Sequence, residues 1–283
     1  LNEVEMARIT EFISSISEPN YPHLIIDVRN NPGGSEEVAA KIFSYIAQEA
    51  FYSSIYCQIN KKEGFDFFKY CTNYVPEQED LFSEYVSIKG KSGYFLNTNN
   101  EILPNEKINF KGKIYVLTNE RSFSASTQLA AWVHKYRRGV IVGRETGSAY
   151  HQMKALKFAY LQLPNSHVVV NIPLVKTVFD TCVNRIPFGR GVLPNYALPL
   201  SLEELSFETG DAILNYAQEL IQNGDYLKEI KQTEISAIQK STKFYICLVM
   251  LLLSAFMIYF IIYYTKRIKR ANKCLQLRLP SYK

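Results

Sequence analysis

Two turns between a strand and a helix carry residue types that could perform nucleophilic chemistry. In "LIIDVRNNPGG", Gly33 and Gly34 follow an apolar run and precede a predicted helix, where unpaired backbone N–H groups and the helix dipole favour negative charge. In "ERSFSAS", Ser122, Ser124 and Ser126 surround the start of another predicted helix. If the turns are neighbours in space, a serine hydroxyl faces backbone N–H donors. The pattern indicates a nucleophile beside an oxyanion hole.

Taken singly, both turns have ordinary structural explanations. A serine at the start of a helix usually caps it, and a Gly-Gly pair after a strand is usually only a turn. Two common catalytic loops are absent from the sequence. There is no G-x-S-x-G elbow of the α/β-hydrolases, and no glycine-rich loop ends in Gly-Lys-Ser/Thr.

The elements around these turns alternate between strands and helices, which favours an α/β layer fold. Predicted helices cover residues 3–16, the segment that Ser35 caps, the segment after Ser124, and roughly 210–222. Predicted strands are "HLIIDV", "KIYVLTN" (113–119), "GVIVG" (139–143) and "HVVVNIPLV" (167–175). Residues 51–110 are irregular and aromatic, and we expect them to form an insertion of short strands or loops.

The chain of 283 residues has a net charge of +5, but that charge lies in one segment. Seven Lys or Arg and no acid occupy residues 266–283, so the rest of the chain carries −2 and lacks a nucleic-acid-binding charge pattern. Before this segment, residues 244–264 form an uncharged run with aromatics at both ends. As a helix, the run would be about 31 Å long, enough to cross a bilayer.

The positive-inside rule predicts the orientation of this anchor. Three Lys or Arg lie in the 15 residues before the run and six in the 15 after it, which puts the C-terminus in the cytoplasm. The predicted organisation is an extracytoplasmic core (1–222), a juxtamembrane linker (223–243), a transmembrane helix (244–264) and a basic cytoplasmic tail (265–283). Because the chain begins "LNEVEM" without a signal-like segment, we expect further sequence upstream.

The cysteines leave two alternatives open. A bridge between Cys57 and Cys71 would suit an oxidising compartment, but three buried free thiols at Cys57, Cys71 and Cys182 fit equally well. No His or Cys cluster has the spacing of a zinc site, and we expect neither a metal nor an organic cofactor.

In order and spacing, these motifs resemble the C-terminal processing, or tail-specific, serine peptidase family. That resemblance covers about residues 3–222 and rests on "LIIDVRNNPGG", "IYVLTNERSFSASTQLAA", "GVIVGRETG" and "GRGVLPNY". It implies a ClpP/crotonase-like stack of ββα units. It also implies that Ser124 is the nucleophile, and that Ala125 and one of Gly33 and Gly34 supply the oxyanion-hole N–H groups. Asp27 and Arg29 would support the glycine turn.

The sequence departs from the family pattern at the general base. Many members carry a lysine 25 residues after the nucleophile, where this chain has Ala149. The tricorn-like branch uses a histidine upstream of the first strand, a position that would precede Leu1, and we expect that arrangement here. The alternatives are His151, then Lys154, and loss of catalysis. Asn195 stands where the family commonly has Asp.

These features predict a membrane-anchored serine endopeptidase, with residues 1–243 in the bacterial periplasm. It would cleave exposed C-terminal segments or loosely folded polypeptides, with the bilayer and its polypeptide substrates as partners and no nucleic acid. The main alternative is an inactive relative that binds peptides or acts as a scaffold. A weaker one is a crotonase-like acyl-binding enzyme.

Overall fold

A computed structural model of the chain describes six ranges of residues. They are 3–17, 21–63, 65–73, 82–182, 186–200 and 210–224. The chain divides into two units, Leu1–Tyr226 and Leu227–Lys283, and every described residue belongs to the first. No helix within the described ranges is long and apolar enough to cross a membrane. The expected transmembrane helix at 244–264 and the basic tail at 265–283 lie outside the described residues.

Four α-helices form where the apolar periodicity predicts them. They are α1 (Glu3–Ile16), α2 (Glu36–Ser44), α3 (Ala125–Lys135) and α4 (Ala212–Asn223). The predicted cap of α2 is confirmed, since the Ser35 hydroxyl accepts a hydrogen bond from the Val38 N–H at 3.3 Å. Asp211 caps α4 through the Leu214 N–H at 3.0 Å, and that helix ends at Gly224 in the left-handed conformation.

Within the described ranges, eleven strands form three sheets, and the fold is mixed α/β. The strands are β1 (His23–Asp27), β2 (Phe51–Tyr52), β3 (Tyr56–Ile59), β4 (Val86–Ser87), β5 (Tyr94–Asn97), β6 (Glu101–Ile102), β7 (Lys113–Thr118), β8 (Gly139–Gly143), β9 (Gln152–Gln162), β10 (Val169–Val178) and β11 (Tyr196–Ala197). A parallel sheet has the order β1-β7-β8-β11, and an antiparallel sheet has the order β4-β5-β3-β10-β9. Strands β2 and β6 pair separately.

The parallel sheet determines where the two turns lie. Asp27, at the end of β1, is in register with Leu117 in the adjacent strand β7. Since parallel strands end at the same edge of a sheet, the segments that follow β1 and β7 emerge side by side. The expectation that the glycine turn and the serine turn are neighbours is confirmed.

The antiparallel sheet differs from the sequence prediction in two places. Strand β9 was not predicted, and β10 extends to Val178 beyond the predicted end of the strand at 175. Their mutual pairing stabilises both, a non-local contribution that local composition does not reveal. The insertion at 51–110 contains β2 to β6 and one 3₁₀ turn, Phe68–Tyr70, in its described part, as the sequence suggested.

Helix α3 is buried along most of its length, which holds its first residue in a fixed position. Every residue from Ala125 to Val133 is buried. Phe43 of α2 and Phe51 pack against Trp132 of α3 with ring centroids 5.6 and 5.4 Å apart. Beyond the helix, the buried Arg138 guanidinium donates to the backbone carbonyls of Phe110 and Gly112.

Candidate active site

Two asparagines join the glycine turn to the serine turn. The Asn119 side-chain amide donates to the Asn30 side-chain oxygen at 3.0 Å, and the Asn30 backbone N–H donates back to Asn119 at 3.0 Å. Nearby, the Phe123 N–H donates to the Asn31 carbonyl at 3.0 Å. Asn30 has a φ of 56°, a conformation that asparagine tolerates better than most residues. The relative position of the two turns is therefore fixed by hydrogen bonds.

The three serines of the second turn have different roles. Ser122 is buried; its hydroxyl donates to the Val28 carbonyl at 2.8 Å and accepts from the Asn119 N–H at 3.1 Å. Ser126 is also buried, within the first turn of α3. Only Ser124 lines the cleft at this edge of the sheet. Ser122 and Ser126 are thus structural, and Ser124 is the half-buried serine that lines the cleft.

Ser124 occupies the N-cap position of α3 without acting as a cap. Its side chain accepts no capping hydrogen bond, and its backbone has a φ of 50° and a ψ of −123°. A positive φ at a non-glycine residue costs of order 1–3 kcal/mol and is concentrated at functional sites. The ordinary explanation of a helix-start serine does not apply to Ser124, and its hydroxyl stays available for chemistry.

The three backbone N–H groups that could form the oxyanion hole differ in whether they already donate a hydrogen bond. The Gly33 N–H donates to the Asn31 side-chain oxygen at 2.9 Å, so this donor is already engaged. Within the described part of the chain, neither the Gly34 N–H nor the Ala125 N–H donates a hydrogen bond. Both residues line the cleft together with Ser124. The geometry therefore favours Gly34 and Ala125 as the pair of donors.

Gly33 contributes through its missing side chain. A Cβ at this position would lie 2.6 Å from the Ser124 Cβ and 2.9 Å from the Ala125 nitrogen, and its φ is +96°. No other residue allows the first turn to approach the second this closely. Gly33 packs against Ser124, and the next residue, Gly34, lines the cleft.

The predicted supports of the glycine turn, Asp27 and Arg29, form an ion-pair cluster with Asp211. The Arg29 guanidinium binds Asp27 at 2.9 and 2.6 Å and both Asp211 oxygens at 2.5 Å. Hydrogen bonds, first to Asp27 and then to Asp211, raise the pKa of Arg29 further above its usual range. Its hydrogen bond to Arg29 holds the pKa of Asp211 below the usual range. The cluster ties the glycine turn to the start of α4.

The two in-chain candidates for the general base lie away from Ser124. His151 is completely buried, and its ring nitrogens face the backbone carbonyls of Asp180 at 3.1 Å and Ile186 at 2.6 Å. Lys154 is exposed on β9, whereas its neighbour Met153 lines the cleft. None of the four histidines is among the residues that line the cleft. The structure does not bring His151 or Lys154 together with the nucleophile.

The segments "RETGS" and "GRGVLPNY" enclose the other side of the serine turn. Glu145 accepts from Arg190 at 2.5 Å and from the Gly191 N–H at 2.7 Å, and the Arg190 hydrogen bond lowers the pKa of Glu145. Asn195 accepts from the Ile141 N–H at 2.8 Å, which extends the pairing of β8. Asn195 thus has a structural role that an amide performs as well as a carboxylate.

Sequence reasoning missed two contributors to the site, Ser148 and Gln128. The Ser148 hydroxyl accepts the Ser124 N–H at 2.9 Å, and Gln128 lies one turn along α3 from Ser124, in the cleft wall. Neither a serine nor a glutamine at these positions marks a functional site in the sequence. For Gln128 the spacing was a usable signal, because a residue four positions after Ser124 lies on the same face of the helix.

The cleft itself has a volume of about 760 Å³ and a mixed polar and apolar lining. Apart from the serine and glycine turns, its walls come from the start of α2, the β2–β3 region, and strands β9 and β10. It is large enough for several residues of an extended peptide. Within the described ranges, no group of three His, Cys, Asp or Glu residues could hold a metal ion.

All three described cysteines are free thiols, so the alternative of a Cys57–Cys71 bridge is excluded. Cys57 is buried beside the cleft, Cys71 is half-buried and Cys182 is exposed. The alternative of three buried free thiols holds in its burial only for Cys57, since Cys71 is half-buried and Cys182 is exposed. Burial raises the pKa of the Cys57 thiol, which disfavours a reactive thiolate there.

A serine in a strained helix-start conformation, in one cleft with the backbone N–H donors Gly34 and Ala125, is the arrangement expected of a serine-type hydrolase. A sequence model of peptidase family S41 matches residues 2–180, and the chain belongs to that family of serine-type peptidases. The family expected from the motifs is confirmed. No curated protein sequence matches the chain.

Two solved structures are similar to this chain, and the first, with a TM-score above 0.5, supports the fold. Mature CPAF complexed with lactacystin is 17% identical, with a TM-score of 0.53 over 78% of this chain and 47% of that one. The photosystem II D1 C-terminal processing protease is 17% identical, with a TM-score of 0.44 over 75% of this chain and 45% of that one. The chain thus spans about half the length of these two structures.

Proposed function

We propose that the chain is the catalytic core of a membrane-anchored serine endopeptidase of the tricorn-like branch. The observation that carries the proposal is the Ser124 hydroxyl. It lies at the start of a buried helix and makes no capping hydrogen bond to that helix. The N–H groups of Gly34 and Ala125 line the same cleft. A tetrahedral intermediate formed at Ser124 would place its oxyanion near these donors.

The chemistry follows from this arrangement. The Ser124 oxygen attacks the scissile carbonyl carbon while its proton passes to a base, and the carbonyl oxygen becomes the oxyanion. Collapse of the intermediate breaks the C–N bond and leaves an acyl-enzyme, with the amine taking the proton. Water then attacks the ester by the same route and releases the second product.

The proposal assigns the general base to a histidine outside this sequence. Support comes from the position of the in-chain candidates, because His151 contacts two backbone carbonyls and Lys154 is outside the cleft lining. It also comes from Ala149, which replaces the lysine of other members with an inert side chain. The mixed α/β layers are consistent with the ClpP/crotonase-like architecture that this branch implies.

For the substrate, we propose exposed C-terminal segments or loosely folded polypeptides. An open cleft of about 760 Å³ admits an extended chain but not a folded domain. The apolar run at 244–264 and the cationic segment after it support anchoring in the bacterial inner membrane, with the core in the periplasm.

A second candidate function is peptide binding without catalysis. The observation that favours it is that no histidine or lysine is among the described residues that line the cleft. An inactive relative would keep the cleft and the oxyanion donors as a peptide-binding groove.

Two measurements on the full-length protein distinguish these functions. The first incubates it with an unfolded protein and maps the fragments by mass spectrometry. The second measures labelling by a fluorophosphonate, which a serine oxygen attacks at phosphorus with loss of fluoride. Ser124→Ala should abolish both, whereas Ser126→Ala, which removes a buried hydroxyl of the same helix, should retain both. Identical fragments from wild type and Ser124→Ala, or none from wild type, would exclude Ser124 peptidase activity.

A further inference from the structure

The charged residues that line the catalytic cleft are acidic in the described part of the chain. Among the described lining residues, Glu36 and Glu37 carry a charge, and no described Lys or Arg joins them. Much of the rest of the lining is apolar, including Met153, Phe158 and Phe179. A side chain that fits such a cleft is long and aliphatic along its stem and positively charged at its end.

The Glu36 carboxylate lines the same cleft as Ser124 and is held there by a residue of α3. Its Oε1 accepts from the Gln128 side-chain amide at 3.1 Å, and the same Gln128 nitrogen donates to the Ser53 carbonyl at 2.8 Å. Gln128 is four residues after Ser124 on α3, so the two are separated by about one helical turn of 5.4 Å. Glu36 therefore lies within reach of the side chain of the residue whose carbonyl Ser124 attacks.

Burial distinguishes Glu36 from its neighbour. Glu36 is partly buried, and burial raises the pKa of its carboxyl, with Glu37 adding to the effect and the Gln128 hydrogen bond opposing it. Glu37 is exposed to solvent. A partly desolvated carboxylate gains more from a cationic partner than an exposed one, since its charge is less compensated by water.

We propose that Glu36 makes this peptidase select lysine or arginine at the residue whose carbonyl is attacked by Ser124. This assignment rests on the proposed peptidase function. The stem of the basic side chain lies along the apolar walls, and its ammonium or guanidinium pairs with the Glu36 oxygen that does not accept from Gln128.

A purely structural role for Glu36 makes a different prediction. As an acid in the first turn of α2, Glu36 also complements the helix dipole and contacts α3 through Gln128. In that role, a substitution would change the stability of the protein, but not its ranking of substrates. The ratio of rates between two substrates separates the two roles.

The test uses the full-length protein and fluorogenic peptides that differ at one residue, which is lysine, norleucine or glutamate. Norleucine keeps the aliphatic stem of lysine without its charge. Wild type should cleave the lysine peptide with a kcat/KM at least about tenfold above the norleucine peptide, as expected for a charge-assisted contact. In Glu36→Gln the ratio should fall to about one. In Glu219→Gln, an exposed position of α4 outside the cleft lining, it should stay near the wild-type value.

Fluorophosphonate labelling of Ser124 separates failure of the inference from failure of the proposed function. Labelling and cleavage with equal rates for lysine and norleucine would overturn the selection by Glu36 and leave the peptidase function intact. A lysine preference retained in Glu36→Gln would overturn it as well. Absence of both labelling and cleavage would remove the peptidase function, and the inference with it.

Discussion

The backbone N–H of Ser124 donates a hydrogen bond to the hydroxyl of Ser148, 24 residues further along the chain, at 2.9 Å. The bond joins Ser124 to the "ETGS" segment, whose Gly147 N–H also donates to the Ser122 carbonyl at 3.0 Å. At Ser124 the backbone has a φ of 50°, an unfavourable conformation that persists only when neighbours enforce it. We infer that Ser148 positions the nucleophile.

Ser148→Ala should lower kcat about tenfold, because the Ser124 hydroxyl loses its fixed orientation, while the free energy of unfolding falls by only about 1 kcal/mol. Peptide hydrolysis and the rate of fluorophosphonate labelling measure the first effect, and urea unfolding measures the second. Ser148→Thr retains a hydroxyl and serves as the control. A wild-type kcat in Ser148→Ala would contradict the positioning role.

Gly33→Ala should reduce kcat/KM by about a hundredfold or more. The added Cβ would lie 2.6 Å from the Ser124 Cβ and 2.8 Å from the Phe123 carbonyl oxygen, so the two turns must move apart. Gly189→Ala is the matched control, since Gly189 has a φ of +85° but no atom within 4 Å of an added Cβ. Both variants incur backbone strain of about 1 kcal/mol, and only Gly33→Ala disturbs the site. Equal losses of activity in the two would show that strain alone is responsible.

Asn119→Ala should destabilise the protein by about 2–3 kcal/mol. Asn119 is buried, and its removal leaves the Asn30 and Arg121 N–H groups and the Asn30 side-chain oxygen without their partner. The chain has a single tryptophan, and its fluorescence in the core of α3 reports urea unfolding. Asn99→Ala, at an exposed position between β5 and β6, provides the control. If Asn119→Ala lowers the free energy of unfolding by less than about 0.5 kcal/mol, the asparagine pair is not a major link between the turns.

Several features of the fold and site could be predicted from the sequence because they depend on local signals. The apolar run before Gly33 and the one before Ser122 predict buried strands, and parallel pairing brings their ends together. Ser35 and the following glutamates are a local start signal for α2, and the structure confirms it. These signals and the motif order also identify the family.

Other features depend on contacts between distant segments and gave no local signal. Whether Gly33 or Gly34 presents its N–H depends on the Asn31 side chain, which engages the N–H of Gly33. The buried position of His151 depends on the carbonyls of Asp180 and Ile186, 29 and 35 residues away. Strand β9 depends on its pairing with β10. In each case, tertiary contacts determine the outcome.

We expect the full chain to sediment with membranes, and a protein without residues 227–283 to stay in the supernatant after ultracentrifugation. The reason is the loss of the uncharged run at 244–264, whose length matches the bilayer. Carbonate extraction of membranes from cells that express the full chain measures anchoring. A full chain released by carbonate would contradict it. The shortened protein should still be labelled at Ser124, because all residues of the candidate site precede Tyr226.

Asp211→Asn should destabilise the protein at neutral pH, and the difference from wild type should disappear in acid. Its hydrogen bonds to Arg29 hold the folded-state pKa of Asp211 below the ordinary value of 3.8. A lowered folded-state pKa contributes stability that is fully present above the ordinary pKa and is lost as the pH falls through the folded-state value. Since the Asp211 side chain is 37% exposed, we expect a contribution of only about 1 kcal/mol.

Asparagine can still cap α4 at the Leu214 N–H, so the substitution isolates the ion pair. Urea unfolding of both proteins between neutral pH and the lowest pH at which they stay folded measures the difference. If the difference in the free energy of unfolding between the two proteins is the same at every pH, the destabilisation comes from weaker helix capping and not from the Arg29 ion pair.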